Sequence, residues 1–324
     1  MRRRTTGWLI AAALLIVLGL ACIAAAMTAN AWDFSHLRTE RYETTTHQIS
    51  ESFHSISLRT DTADIDFLPA DDGGCRVVCE ESVKAKHSAA VRSGTLTVSV
   101  KDERKWYDHI GIGFSTPKIT VYLPKDAYTL LTIKGSTGDI TVIRNFRFAN
   151  IDISVSTGDV VCQASADEQI KIKTNTGDIT VRELSADALD LTVSTGTVQA
   201  DAITCGGDMT VRVSTGRANL RGVSCRNLRS TGSTGRIVLQ DVIAAELISL
   251  ERSTGEIHFD SCDAAALSVK TSTGDVTGSL RTEKLFFAES DTGDIDLPRT
   301  TTGGKCEIVT STGDIRLTVQ KGQP

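Results

Sequence analysis

Aromatic side chains are scarce in this 324-residue chain, at 5% of the total, and proline occurs only five times. What remains is a strand-and-turn vocabulary of Gly, Ser, Thr, Val and Ile, with 40% apolar residues. That composition excludes a proline-rich disordered chain and points to an all-β protein with a packed core. An excess of basic charge is also missing. The net charge is −5, and without Arg2, Arg3 and Arg4 the rest carries 32 basic against 40 acidic residues, or −8. Phosphate backbones are bound by surplus Lys and Arg, so nucleic acid is excluded as an expected partner.

Further absences narrow the chemistry. No Cys-x-x-Cys or Cys/His pairing of the zinc type occurs, and Cys75 and Cys79 are spaced along one strand-like stretch. Neither a Gly-x-Ser-x-Gly elbow nor a nucleotide-binding loop is present. Of six histidines only His258 falls among the repeats described below. No group shows the base-plus-orienter pattern of catalysis, and neither catalytic residues, metal nor cofactor are expected.

Only one long apolar run exists. Trp8 to Met27 is twenty residues without a charge, preceded by the three arginines. Its length matches one bilayer span, and the arginines predict a cytoplasmic N-terminus with everything after Ala31 outside. Ala29-Asn30-Ala31 also reads as a small-residue cleavage site, after which a secreted chain would begin at Trp32. The run is longer than the apolar core of a cleavable signal, which favours an anchor. Seven cysteines then lie outside the membrane, an odd number that argues against a full disulfide framework. Cys162 and Cys306 take inward positions as small apolar residues. Cys205 and Cys225 each follow a repeat glycine by nine residues and form the one candidate disulfide, between adjacent coils.

A repeat dominates the rest. Thr-Gly pairs end at Gly138, Gly158, Gly177, Gly196, Gly216, Gly235, Gly255, Gly274, Gly293 and Gly313, always 19 or 20 residues apart. The residue before each Thr is Ser in eight copies, Asn175 in one and Asp291 in one. Such side chains hydrogen-bond their own backbone two residues on, and glycine supplies a positive φ, so each pair reads as a corner. Apolar residues recur two and four positions after the glycine, and five and seven before it. This period-two alternation predicts a strand on either side of the corner. A unit of about 19 residues cannot enclose a core alone and must stack on its neighbours, which gives a β-solenoid of about ten coils. The same turn residues also suit hairpins, so a twisted antiparallel sandwich is the alternative.

The domain plan follows. Residues 1–7 are a cytoplasmic basic segment, 8–27 a transmembrane helix or signal peptide, and 28–45 a linker. Residues 46–130 form an N-terminal β cap with degenerate coils, in which Ala63 takes the glycine slot. The solenoid occupies 131–320 and a tail 321–324. The last strand, Ile315 to Val319, is expected to leave an open C-terminal edge capable of self-association, discouraged by Lys321 and Pro324.

After each corner glycine comes an interrupted acidic row: Asp139, Asp159, Asp178, Thr197, Arg217, Arg236, Glu256, Asp275, Asp294 and Asp314. Calcium would suit oxygen ligands at turns, but the arginines break the row and solvated turn-capping carboxylates explain it better. Arg236 and Glu256 are expected to pair across a rung. The ten threonines read as cross-strand stacking. Trp106 and Tyr107, beside Asp108 and Gly111-Ile112-Gly113, are expected to pack over the first coil.

Several stretches together carry a family resemblance: the N-terminal apolar span, Thr60-Asp61-Thr62-Ala63-Asp64-Ile65, Lys105-Trp106-Tyr107-Asp108, Pro117-Lys118-Ile119-Thr120-Val121-Tyr122-Leu123-Pro124, and the serial Ser-Thr-Gly-Asp-Ile coils. Over about residues 45 to 320 the chain resembles the bacterial putative-adhesin domain family of unknown function. The resemblance implies a repetitive β-protein of the bacterial envelope, with some members tied to envelope stress, and brings no catalytic or ligand residues. The resulting expectation is a non-enzymatic cell-surface adhesin or scaffold facing a cell-wall polymer, protein or glycan. A regulatory element of the envelope-stress response is the first alternative, and a polysaccharide-acting enzyme on a β-helix scaffold the second.

Overall fold

A computed structural model describes residues 2–29, 42–102 and 116–320. The expectations placed on Trp32, on the Trp106–Tyr107 loop through Gly113, on the cleavage position at Asn30 and Ala31, and on Lys321 and Pro324 lie outside these residues. The apolar run forms an α-helix, Arg2–Ala29. Among the described side chains, which leave out those of residues 2–6, 9–11, 26 and 29, no helix is long and apolar enough to cross a membrane.

From residue 42 onward the described chain is a single β-sheet wound into stacked coils. The row two residues after each glycine shows how. Ile140 pairs with Val160, Val160 with Ile179, and then Val198, Ala218, Ile237, Ile257 and Val276 follow, every step parallel. All of these side chains are buried, as are Ile151, Ile153, Leu189, Leu191, Met209 and Val211 upstream of the corners. Alternation therefore places one face of every strand in a common interior, where a fully buried Ile or Leu contributes roughly 1.5–3 kcal/mol. The parallel ladders overturn the antiparallel sandwich. A hairpin would reverse the chain at each Thr-Gly, whereas this corner only bends it into the next side of the same coil.

Two physical demands fix glycine at the corner. The ten glycines have φ between +128° and +153°. A Cβ on any of them would lie only 1.7–2.3 Å from the carbonyl oxygen of the coil beneath, as Gly216 does over Gly196. Ala63 escapes because it begins the row and has no positive φ. The serine ring predicted to close the corner does not form in the way expected, since the glycine N–H is already used. Gly138 donates to the carbonyl of Thr157 at 3.0 Å, Gly158 to Thr176 at 2.9 Å, and Gly255 to Thr273 at 2.7 Å. A main-chain bond to the next coil takes the place of a local side-chain bond, and the serine is left exposed.

Both ends depart from simple succession. At the start, the coil Ser55–Thr62 and Asp64–Pro69 stacks on the Gly138 coil. Its outer side is covered by Thr95–Asp102 and Lys118–Leu123 in parallel pairing. Antiparallel strands Tyr42–Ile49, Cys75–Ser82 and Ala85–Arg92 complete this cap.

At the other end the last two coils exchange places. Gly304–Thr312 and Ile315–Val319 pair directly with the Gly274 coil, and Lys284–Thr292 and Ile295–Asp296 lie beyond them. The expected open edge at Ile315–Val319 is thus corrected. That strand pairs along its length on one side and at Ile315 and Arg316 on the other. The outermost rung is the Gly293 coil, with Phe287 56% and Ile295 46% exposed. Its entry is pinned by buried Lys284, whose Nζ donates to Asp263 Oδ1 at 2.6 Å.

Candidate functional site

Two arrangements carry chemistry: the exposed corner row, and a buried polar group in the cap. In the corner row, Thr137, Thr157, Thr176, Thr195 and Thr215 follow one another in register, and Thr234, Thr254, Thr273, Thr312 and Thr292 continue the column. All ten threonines are exposed, and so are the ten Ser, Asn or Asp residues before them. The fold thus presents a column of paired short polar side chains, repeated at the rung spacing of about 4.8 Å.

The acidic residues beside this column are committed to the scaffold. Asp64 Oδ1 accepts from the amide of Asp139 at 2.9 Å, Asp139 from Asp159 at 2.8 Å, Asp159 from Asp178 at 2.8 Å, and Asp178 from Thr197 at 2.7 Å. The series resumes where Asp275 accepts from Asp314 and Asp314 from Asp294. Each carboxylate caps the backbone of the neighbouring coil, not its own turn. At Thr197 the corner itself joins the ladder, with Gly196 paired to Gly216 and Thr197 to Arg217, so no carboxylate is called for there. Arg236 and Glu256 form the expected cross-rung pair at 2.7 Å, both about half exposed. Such a pair contributes about 0–1 kcal/mol. His258 Nδ1 lies 3.0 Å from Thr277 Oγ1.

The seven cysteines of the solenoid and cap are buried free thiols. Cys205 and Cys225 follow the paired residues Thr204 and Ser224, so they do occupy neighbouring rungs. The Cys205 thiol donates to the carbonyl of Asp187 at 3.3 Å.

The cap holds what residue spacing did not reveal. Cys79 and Glu81 sit on one face of Cys75–Ser82, and His87 comes from the following strand, Ala85–Arg92. Their exposures are 0%, 0% and 5%. Glu81 Oε2 accepts the backbone N–H of His87 at 2.5 Å and lies 2.8 Å from its Nδ1. Thr60 Oγ1 lies 3.1 Å from His87 Nε2, and His47 Nε2 lies 3.1 Å from the His87 carbonyl. Burial, and secondarily the charge of Glu81, pushes the Cys79 thiol up to about 12. The one sequence signal was a glutamate at an inward strand position, which a period-two count of polar residues would flag.

No curated protein matches the chain. A solved structure of a putative adhesin from Parabacteroides merdae is 12% identical, covering 74% of this chain and 97% of its own, with a TM-score of 0.48. Another, from Parabacteroides distasonis, is 10% identical over 86% of this chain and 98% of its own, at 0.49. A putative lipid binding protein from the same organism is 18% identical over 73% and 94%, at 0.42. The Toastrack family, DUF4097, matches residues 53–216 and again 201–323, which together span every coil and all of the cap but its first strand, Tyr42–Ile49. The chain belongs to the Toastrack DUF4097 family.

Proposed function

We propose that this protein is a non-enzymatic, membrane-anchored display module whose solenoid binds a repeating polymer of the cell envelope, such as a cell-wall glycan, outside the membrane. The observation that carries the reading is the in-register column of exposed Ser-Thr pairs, since a ligand with its own regular repeat can meet many equivalent hydroxyls along one line. Weak contacts repeated in this way add through effective concentration, without any deep pocket. Anchoring is assigned to the Arg2–Ala29 helix, where Trp8, Leu14, Leu15, Ile16, Val17, Leu18, Leu20 and Ile23 are all exposed and need an apolar surrounding. Arg2, Arg3 and Arg4 then favour a cytoplasmic N-terminus.

Two features argue for binding over catalysis. The carboxylates nearest the column accept backbone amides, and the one histidine of the coils faces a threonine hydroxyl. Self-association is assigned to the Gly293 coil, whose outer edge and exposed Phe287 end the stack.

The test uses the full chain in detergent, incubated with purified cell-wall sacculi and with defined soluble glycans. Saturable retention that weakens when Thr176, Thr195 and Thr215 are together replaced by Glu is the expected result. Absence of saturable binding to every polymer, or shortening of any polymer by the protein, overturns the reading.

A further inference from the structure

We propose that Cys79, Glu81 and His87 form a binding site for one divalent transition-metal ion, zinc by ligand chemistry, inside the N-terminal cap. The three residues supply one thiol, one carboxylate and one imidazole, and their donor atoms all lie within 4.8 Å of one another. Thiolate, imidazole and carboxylate are the ligand types zinc takes, at about 2.3, 2.0–2.1 and 2.0–2.2 Å. Atoms arranged tetrahedrally at those lengths stand about 3.3–3.7 Å apart. Shifts of about an ångström would bring the three around an ion.

A second, independent observation comes from the glutamate. Glu81 Oε1 is fully buried and has no hydrogen-bond partner, although Oε2 is occupied by the His87 amide. A buried carboxylate oxygen without a partner is costly, and a structural Glu–His ion pair leaves that cost in place. A metal ion removes it. The charges also balance, because a divalent cation with one thiolate, one carboxylate and a neutral imidazole leaves the pocket neutral. On binding, the Cys79 S–H bond breaks, the proton passes to solvent and the sulfur lone pair enters the S–metal bond.

The surroundings are built to hold the ligands. Thr60 Oγ1 at 3.1 Å orients the far nitrogen of His87, which leaves Nδ1, on the Glu81 side, as the donor toward the ion. Cys79 and Glu81 project from a strand paired on both sides, with Tyr42–Ile49 and Lys118–Leu123. Such a rigid platform suits a structural ion that ties Ala85–Arg92 to the rest of the cap.

The experiment takes the full chain purified in detergent, strips it with a chelator, and titrates it with zinc by calorimetry and with cobalt(II) by absorbance. Expected are one zinc per chain and a thiolate-to-cobalt charge-transfer band in the near ultraviolet. Cys79→Ser should abolish the band, Glu81→Gln and His87→Gln should each weaken zinc binding by removing a ligand, and Cys75→Ser should leave both unchanged. The wild-type protein supplies a readout that needs no variant, since zinc should raise its melting temperature and chelator lower it. No saturable zinc binding to the wild type, a cobalt spectrum without the charge-transfer band, or a band lost in Cys75→Ser and kept in Cys79→Ser would each overturn the proposal.

Discussion

Gly274 donates its backbone N–H to the carbonyl of Thr312 at 2.8 Å, so the coil that ends the solenoid in sequence is not the coil that ends it in space. The amide of Gly313 in turn donates to Thr292 at 3.0 Å. At the corners the coils share one register, despite shifts elsewhere along the ladders, so the corners are interchangeable as stacking partners. Which coil follows which is therefore left to the connections, here the buried Lys284 with Asp263 at the crossing.

Spin labels test this order. With labels at the exposed positions 272, 291 and 311, the pair at Ser272 and Ser311 should be one rung apart, about 5 Å between backbones, and the pair at Ser272 and Asp291 two rungs, about 10 Å. Dipolar broadening should be stronger for the first pair. Stronger broadening for the second would mean the coils stack in chain order.

At the corner, Gly216→Ala should lower stability by about 3 kcal/mol or more, because φ is +134° and the new Cβ would lie 1.8 Å from the Gly196 carbonyl oxygen. Thr215→Ala, one residue earlier on the exposed face, should stay within about 0.5 kcal/mol. Urea midpoints followed by circular dichroism compare the two. Equal effects would show that the column of glycines is not set by close stacking.

Arg252 is 2% exposed, with Nε and Nη2 lacking partners and only Nη1 donating, to the Val213 carbonyl at 2.5 Å. Burial alone holds its guanidinium below the ordinary arginine range. Arg252→Met should therefore raise stability by about 1–3 kcal/mol, since an apolar side chain of similar length removes an uncompensated charge. A loss of more than about 1 kcal/mol would mean that the guanidinium is paired in the folded protein.

The buried thiols predict an alkaline limit. Burial pushes Cys75 and Cys262 up to about 11, and Cys162, Cys225 and Cys306 up to about 12. In the unfolded chain these thiols ionise at about pH 8.5. A folded pKa above the unfolded one gives stability that is complete below about pH 8.5 and lost between there and about pH 12, at about 1.4 kcal/mol per pH unit for each thiol. Stability measured from pH 7 to 11 should fall over that window, and Cys162→Ala should flatten the fall. In the same samples, thiol reagents at pH 8 should spare Cys205 and Cys225 until unfolding. Mass spectrometry of protein exported and purified without reductant reads out whether the two are joined.

Much of the architecture was legible residue by residue. A Thr-Gly pair every 19 or 20 residues, with Ile140 and Val142 after one corner and Ile151 and Ile153 before the next, can bury its apolar positions only by stacking. The cap was less legible, because Glu81 and His87 meet through a turn and belong to no repeat, and nothing in their spacing marks them as partners. The serine of the corner was assigned a bond that the neighbouring coil makes instead, and the aspartate turned out to cap that neighbour.

By itself, then, the amino-acid sequence determined the all-β class, the coil length, the positions of the corners and which side chains face inward. These follow from local periodicity and from the conformations glycine alone adopts readily. Tertiary structure alone decided that the coils stack in parallel, that the last two exchange places, and that Cys79, Glu81 and His87 converge. Such relationships depend on which distant segments pair, and a ladder of equivalent rungs leaves that choice to the few contacts that differ between one coil and the next.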